Sequence, residues 1–136
     1  MSLTILGIGT TVPQQKIQQH HAALLAGSLL GSKAPAERTM RAMYRQTRIQ
    51  QRFSVVLEES HDGEIIQDFF DPAETQGDLG PTTAQRMQRY ESEATPLATA
   101  AVKKALEQAN MKPAAITHLI TCSCTGFQAP GIDVAL

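Results

Sequence analysis

The chain has 136 residues, a length that fits one domain and can bury a core. Its net charge of −1 and its lack of Trp exclude strong whole-chain attraction to nucleic acid or to an anionic membrane, and disfavour a base-stacking surface. No window approaches the roughly 18 uncharged apolar residues of a membrane span. The start lacks a basic, signal-like segment, and two cysteines one residue apart disfavour a disulfide, so we expect a cytoplasmic protein with free thiols.

The first half of the chain predicts two strands and two helices. An apolar run at residues 3–9 predicts a buried first strand, and its glycines do not have the spacing of a dinucleotide-binding fingerprint. Apolar residues at helical spacing then predict a helix over about 13–30 and a second helix over about 36–47. Residues 49–57 alternate loosely and predict a strand.

The second half predicts a long loop, a helix and a final strand. Residues 58–81 are rich in Asp, Glu, Gly and Pro, and a loop of this length is usually functional or mobile. A helix is expected to begin at Thr82 and to be kinked or restarted at Pro96, with an apolar face that continues to Ala109. Residues 116–125 predict a buried strand. Because strands alternate with long helices, we expect an α/β layered fold with a partly parallel sheet.

The predicted last strand ends in small side chains. The run Cys-Ser-Cys-Thr-Gly at residues 122–126 is followed by a turn at Pro130 and Gly131, and Asp133 is placed to begin a new helix. This pattern is typical of a buried strand that ends at the ligand-facing edge of an α/β sheet. Small side chains at such an edge leave room for a substrate and let backbone N–H groups approach it.

Cys122 and Cys124 allow three interpretations. As metal ligands together with His118 they form an incomplete set, because no further cysteine completes a tetrahedron. As a nucleophile, Cys124 needs a base, and His118 lies roughly 20 Å away at the rise of a strand. The other conceivable bases are His20, His21 and His61. As buried thiols, the two cysteines pack like small hydrophobic side chains, and Cys124 lines a pocket without reacting.

Four arginines share one face of the second predicted helix. They fall three, four and three residues apart, at Arg38, Arg41, Arg45 and Arg48. One interpretation is an anion-binding site, for example for a phosphorylated cofactor. The other is a solvated face that pairs with acidic loops such as Glu58-Glu59. The residues by themselves leave both interpretations open.

Three separated motifs occur in order along the chain. They are I-L-G-I-G-T-x-x-P at 5–13, I-x-x-R-F at 49–53, and a C-terminal run with I-T-H-L-I at 116–120, S-C-T-G at 123–126 and P-G-x-D-x-x-L at 130–136. Together they closely resemble the type III polyketide synthases, the chalcone and stilbene synthase family. The C-terminal run is the most specific of the three, and its S-C-T-G-F form is closer to bacterial members than to plant members.

The resemblance implies that residues 1–136 are the N-terminal part of a thiolase-like αβαβα fold, a truncated piece of its first layer. It also implies a homodimer that condenses malonyl-CoA units onto an acyl-CoA starter by decarboxylation, with CoA thioesters as substrates and no cofactor or metal. In this family a Cys nucleophile takes the acyl group, and a His and an Asn stabilise negative charge. None of the three falls within this sequence, so we expect no catalytic residue here and an inactive fragment of an acyltransferase.

The resemblance also assigns residues to a substrate pocket, position by position. Cys124 and Thr125 match positions that line the active-site cavity of the family. Ala129 matches a position that reaches into the cavity of the partner subunit, where plant members commonly have Met. An Ala at this position implies a differently shaped wall and leaves the class of product open.

The basic residues that bind CoA in this family lie on the helix that corresponds to residues 36–47. Counted back from Ile49, they fall on Thr39, Ala42 and Gln46, none of which is basic. The CoA-binding residues that we expect are therefore the neighbouring Arg38, Arg41 and Arg45.

Two other functions fit the same residues. An enzyme similar to β-ketoacyl carrier-protein synthase III shares the fold and the chemistry, but it takes substrate from a carrier protein. A non-catalytic binding module would keep this half of the fold and lack catalysis. A coding sequence that continues past Leu136 into a Cys-bearing segment, and later to a His and an Asn, would favour an enzyme.

Overall fold

The computed structural model describes residues 2–29, 34–75, 78 and 80–136. They form two compact units: a strand-containing unit of Pro13–Thr82, and a helical unit of Met1–Val12 with Thr83–Leu136. Within these described ranges, no helix is sufficiently long and apolar to cross a membrane.

The strand-containing unit begins with two strands and two helices. In chain order they are β1 (Lys16–Gln18), α1 (Gln19–Ser28), α2 (Ala34–Gln46) and β2 (Gln51–Phe53). β1 and β2 pair antiparallel, with Ile17 opposite Arg52. The helix predicted over 36–47 is therefore confirmed, and the strand predicted over 49–57 is present in a shortened form.

α1 is shorter than the helix predicted over 13–30. β1 occupies the first part of that segment, because Ile17 lies in the ladder with β2 and is buried there. The apolar residues that were assigned to one helical face therefore belong to two elements. Leu30, the predicted end of the helix, lies outside the described residues.

A short hairpin lies within the segment predicted as a long loop. Its strands are β3 (Glu58–Glu59) and β4 (Ile65–Ile66), which pair antiparallel. Gly63 in the connecting turn has φ of 78°, a left-handed conformation that glycine adopts without a steric penalty. Both pairs of strands are antiparallel, so the partly parallel sheet expected from the sequence does not form within the described residues.

The core of the strand-containing unit is small and is bounded by one buried polar side chain. Its buried apolar residues and those packed against them are Ile17, Ala22, Leu57, Leu25, Tyr44 and Ile65. At its edge, Gln19 Nε2 donates to Tyr44 O at 2.8 Å and to Thr47 Oγ1 at 2.9 Å. Gln19 Oε1 accepts a hydrogen bond from Arg52 Nε at 2.8 Å. A buried amide needs such partners, and these bonds connect α1 to β2 and to the end of α2.

The helical unit is organised around one long helix. α3 spans Thr83–Ala109 and is followed by a 3₁₀ turn at Pro113–Ala115 and by α4 (Ile132–Ala135). Pro96 lies inside α3, so the alternative of a helix restart at this residue is wrong. The apolar face predicted for the second half of α3 is half-buried and the opposite face is exposed, so the predicted periodicity is confirmed.

The two strands predicted for the helical unit do not form within the described residues. Residues 3–9 and 116–125 are assigned to no strand, and Leu3 and Ile120 are 97% and 90% exposed. A strand is stabilised by backbone hydrogen bonds to a neighbouring strand, and neither segment has such a neighbour among the described residues. The predictions of a buried first strand and a buried last strand are therefore wrong for this chain.

The N-terminal segment packs instead along α3 through its glycines. A Cβ at Gly9 would lie 1.9 Å from Ala101 O, and a Cβ at Gly7 would lie 2.3 Å from Ala105 O. The Ile8 N–H donates to a glutamine side chain of α3 at 2.6 Å. Only glycine permits this close backbone approach, so the glycines of the first motif serve helix packing in this chain.

The same two segments are neighbours even though they are not paired. Residues 5–7 and residues 115–118 line one recess of about 450 Å³ beside α3. The arrangement of segment, helix and segment resembles a strand–helix–strand unit, but no ladder between the two segments forms in the part of the chain that the structure describes.

Candidate functional site

A recess in the helical unit lies at the place where the sequence predicts a ligand-facing edge. It has a volume of about 190 Å³ and is formed by the end of the predicted last strand and the residues after it, by α4 and by one side chain of α3. Its described lining residues are Tyr90, Thr121, Cys122, Ser123, Gly126, Phe127, Gln128, Gly131, Ile132 and Asp133. The lining includes hydroxyl, thiol, amide and carboxyl groups, so the recess can hydrogen-bond a small polar group.

Gly126 brings the tip of the loop against α3. A Cβ at this position would lie 2.0 Å from Tyr90 Cδ2, so the tyrosine ring occupies the space that a side chain would need. The Gly126 N–H donates to Ser123 Oγ at 3.2 Å, which closes a tight turn. The interpretation of Gly126 as a turn residue that clears space is therefore confirmed.

α4 begins where the sequence predicts a new helix. Gly131 is its N-cap residue and Asp133 lies in its first turn, where a carboxylate interacts favourably with the helix dipole. A Cβ at Gly131 would lie 2.3 Å from Asp133 Oδ1, so glycine leaves room for this carboxylate.

No sequence signal marks Gln128, yet one of its polar atoms is buried at the recess. Its Nε2 donates to Thr95 Oγ1 of α3 at 3.4 Å. Its Oε1 is buried and has no hydrogen-bond partner among the described residues. Leaving such an acceptor unpaired costs roughly 1–3 kcal/mol, which is a local cost at a residue that lines the recess.

The three residues predicted to line a substrate pocket lie at the border of this recess. Cys124 is exposed, and its Sγ lies 3.8 Å from Thr125 Oγ1. Thr125 and Ala129 are also exposed. None of the three lines the recess itself, but each is adjacent in sequence to a residue that does.

The interpretation of Cys122 and Cys124 as buried thiols is wrong, because both are free and exposed. Residues 116–125 form no strand and pair with no strand among the described residues, so no described sheet covers the two cysteines. His118 is likewise exposed, and its Nδ1 lies 3.0 Å from Thr117 Oγ1. In the part of the chain that the structure describes, no group of three or more His, Cys, Asp or Glu side chains could hold a metal ion.

The arginines of α2 in the strand-containing unit are exposed. Arg41 pairs with Glu37, one turn earlier on the same helix, rather than with acidic strand β3. Arg38 and Arg45 have no ion-pair partner within the described ranges. Arg48 lies beyond the end of α2 with φ of 56°, so the helical face carries three arginines rather than four.

Comparison with known protein families identifies the family of this chain. The family model for the N-terminal domain of chalcone and stilbene synthases matches residues 2–136. The chain belongs to the chalcone and stilbene synthase family. It is 30% identical over 136 residues to the alpha-pyrone synthesis polyketide synthase-like Pks18 of Mycobacterium tuberculosis, and to the protein of that name from Mycobacterium bovis. These matches cover 97% of the chain and 31% of each relative, so the chain spans less than a third of their length.

A solved structure has a similar fold. The crystal structure of PKS-I from the brown alga Ectocarpus siliculosus matches with a TM-score of 0.70 at 22% identity, over 97% of this chain and 34% of that chain. The chalcone and stilbene synthase N-terminal domain is part of a thiolase-like α/β fold, and the predicted fold class is confirmed. The missing ladders of the helical unit are a local departure from it.

Proposed function

We propose that this chain is the N-terminal part of a type III polyketide synthase, an acyltransferase that condenses malonyl-CoA units onto an acyl-CoA starter with loss of carbon dioxide. The observation that carries the proposal is the family match over residues 2–136. A relative that is described as a polyketide synthase-like protein of alpha-pyrone synthesis supports the same chemistry. The nucleophilic Cys and the charge-stabilising His and Asn of this mechanism belong to polypeptide outside these residues.

In this function the loop around Gly126 contributes part of the wall of the acyl cavity. Cys124, Thr125 and Ala129 have small side chains, are exposed, and border a recess lined with hydrogen-bonding groups. A wall of small residues leaves room for a growing acyl chain, and the surrounding polar groups orient its carbonyls. In a cytoplasmic homodimer, Ala129 would extend this wall into the cavity of the partner subunit.

The exposed arginines of α2 would bind the phosphate groups of CoA. Arg38 and Arg45 have no competing ion pair in the described ranges, and Arg41 shares its charge only with Glu37 of its own helix. A guanidinium group donates two parallel hydrogen bonds to a phosphate, which makes arginine well suited to a pyrophosphate ligand.

The coding sequence beyond Leu136 and the activity of its product test the proposed reaction. We expect the sequence to continue to a Cys-bearing segment and later to a His and an Asn. The purified product should convert malonyl-CoA and an acyl-CoA starter into a polyketide that mass spectrometry detects, with release of free CoA. A stop codon directly after Leu136, or condensation that requires a carrier protein, would contradict it.

CoA binding to α2 can be tested on the 136-residue chain itself. Replacing Arg38, Arg41 and Arg45 together by Gln should weaken CoA binding by about tenfold or more, because hydrogen bonds to charged groups contribute roughly 1.5–3 kcal/mol. Isothermal titration calorimetry measures this affinity. The control is Lys103→Gln with Lys112→Gln, which removes two exposed positive charges from the helical unit. Equal affinities of the triple variant and the unchanged chain would remove the assignment.

A further inference from the structure

The strand-containing unit has a partly open cavity that the proposed function does not use. The cavity has a volume of about 640 Å³ and is bordered by β1, by α1 and by the turn that leads into β4. Small-molecule sites typically have volumes of roughly 300–1,000 Å³, so this space suits a ligand of that class. None of the residues assigned to CoA or to the acyl cavity belongs to its lining.

The floor of this cavity is apolar and continuous with the core. Ile17 is buried, and Leu25 and Ile65 pack against the core cluster that contains it. Leu24 also lines the cavity but is 48% exposed. Full burial of a leucine side chain contributes roughly 1.5–3 kcal/mol, so a ligand that covers Leu24 gains hydrophobic free energy.

The polar groups around this floor are not neutralised by neighbours. Lys16 on β1 and His21 on α1 are basic, and Glu64 at the hairpin is acidic. In the described part of the chain, none of the three forms an ion pair. The centroid of the His21 ring lies 4.0 Å from that of the His20 ring, and the two rings are tilted by 52°. Among the described lining residues, the basic groups therefore come from β1 and α1, and the acidic group comes from the hairpin.

We propose that this cavity binds a small apolar molecule that carries one acidic group, a carboxylate or a sulfonate. The acid lies at Lys16 and His21, where charge-assisted hydrogen bonds are strongest, and the apolar body covers Leu24 and Leu25. Glu64 contributes an acceptor for a hydroxyl or amide N–H on the same molecule. The position of the acid follows from the elements: Lys16 and His21 come from β1 and α1, and Glu64 comes from the hairpin. This inference does not depend on the proposed synthase activity.

Two fluorescent probes of similar shape test the proposal on the 136-residue chain. The first is 8-anilinonaphthalene-1-sulfonate, and the second is N-phenyl-1-naphthylamine, which lacks the sulfonate. Titration followed by ¹⁵N–¹H NMR should show saturable shifts of the amides of residues 16–28 and 63–65 with the sulfonate. The neutral probe should bind there more weakly. The NMR readout separates this site from non-specific binding to the exposed apolar residues of the helical unit.

Variants then assign the two parts of the ligand to their contacts. Lys16→Gln should weaken binding of the sulfonate by about 5- to 10-fold, in line with the loss of one charged hydrogen bond, and should leave the neutral probe unaffected. Leu24→Asn should weaken both probes. Lys103→Gln, an exposed lysine of α3, is the charge-matched control and should change neither. Shifts confined to the helical unit, or equal sulfonate affinity in Lys16→Gln and Lys103→Gln, would overturn the proposal.

Discussion

The two units of this chain bury apolar surface to very different extents. All of the buried apolar residues that the structure describes, namely Ile17, Ala22, Ala23 and Leu57, belong to the strand-containing unit. The helical unit has a 27-residue helix, but its described apolar residues are at most half-buried. Its two apolar segments are extended and exposed. This difference shows which elements of the chain form from their local sequence alone.

The physical reason is the separation along the chain between the residues whose backbone groups must hydrogen-bond to form each element. A helix satisfies its backbone groups within four residues, so α3 forms from its own sequence. A strand needs a partner at the correct edge, and β1 finds one in β2 within the same unit. The segments at residues 3–9 and 116–125 have no such partner among the described residues, and they stay exposed despite their strand-like composition.

The largest expected effect contrasts one isoleucine from each unit. Ile17→Ala removes a buried side chain from the core and should lower the free energy of unfolding by about 2–4 kcal/mol. Ile120→Ala, at a site that is 90% exposed, should change it by less than about 0.5 kcal/mol. Urea denaturation measures both changes in the free energy of unfolding, and amide hydrogen exchange shows which of the two units is affected. A cost for Ile120→Ala similar to that for Ile17→Ala would mean that the extended segment is buried in solution.

The next effect tests whether the N-terminal segment is bound to α3 at all. Gly9→Ala places a Cβ against the backbone at Ala101, and overpacking of this kind costs about 1–3 kcal/mol. We expect faster hydrogen exchange of the amides in the second half of α3. Thr4→Ala, at an exposed position on the same segment, is the control and should have no effect. Equal exchange rates in the two variants would show that the segment does not pack there.

The contact between the loop and α3 offers a double-mutant test of the recess. Gly126→Ala forces a methyl group into the ring of Tyr90 and should destabilise the docked loop by about 1–3 kcal/mol. Tyr90→Ala removes the ring and provides the space. The double variant should therefore be less destabilised than the sum of the two single variants. Strict additivity in thermal denaturation would indicate that the two residues do not touch.

The smallest effect concerns two glutamines of the helical unit. Gln128→Met removes a buried, unpaired oxygen and should change stability by less than about 1 kcal/mol, or increase it slightly. Gln108→Met removes the acceptor of the Ile8 N–H and should cost about 0.5–1.5 kcal/mol. Urea denaturation compares the two variants. A larger loss for Gln128→Met would show that its amide oxygen has a partner in solution.

The sequence predicted well those parts of the fold that depend on local periodicity. α2 and the second half of α3 follow from apolar residues at helical spacing, and α4 follows from Gly131 and Asp133. β1 could not be separated from α1, because the apolar side chain of Ile17 fits either a helical face or a ladder. The two strands that do not form among the described residues depend on partners that no local pattern specifies, although the two segments lie near each other beside α3.

The candidate site could be predicted in outline but not in its details. The small residues at 122–126 located the recess, and Gly126 had the role expected of it. Tyr90 and Gln128 carried no signal, because their part in the recess depends on how the loop packs against α3. The lining of the 640 Å³ cavity could not be predicted from the sequence either, because Lys16, His21 and Glu64 come from three separate parts of the chain. Tertiary packing, rather than any motif, brings these groups together.

The backbone at Arg48 has a practical consequence for work on this protein. Its φ of 56° is a left-handed conformation, which costs a residue with a Cβ roughly 1–2 kcal/mol and costs glycine almost nothing. Arg48→Gly should therefore make the region where α2 meets β2 more heat-resistant, while the three arginines on the helix remain intact. A thermotolerant form of the chain would be a better starting material for crystallisation with ligands than the natural sequence.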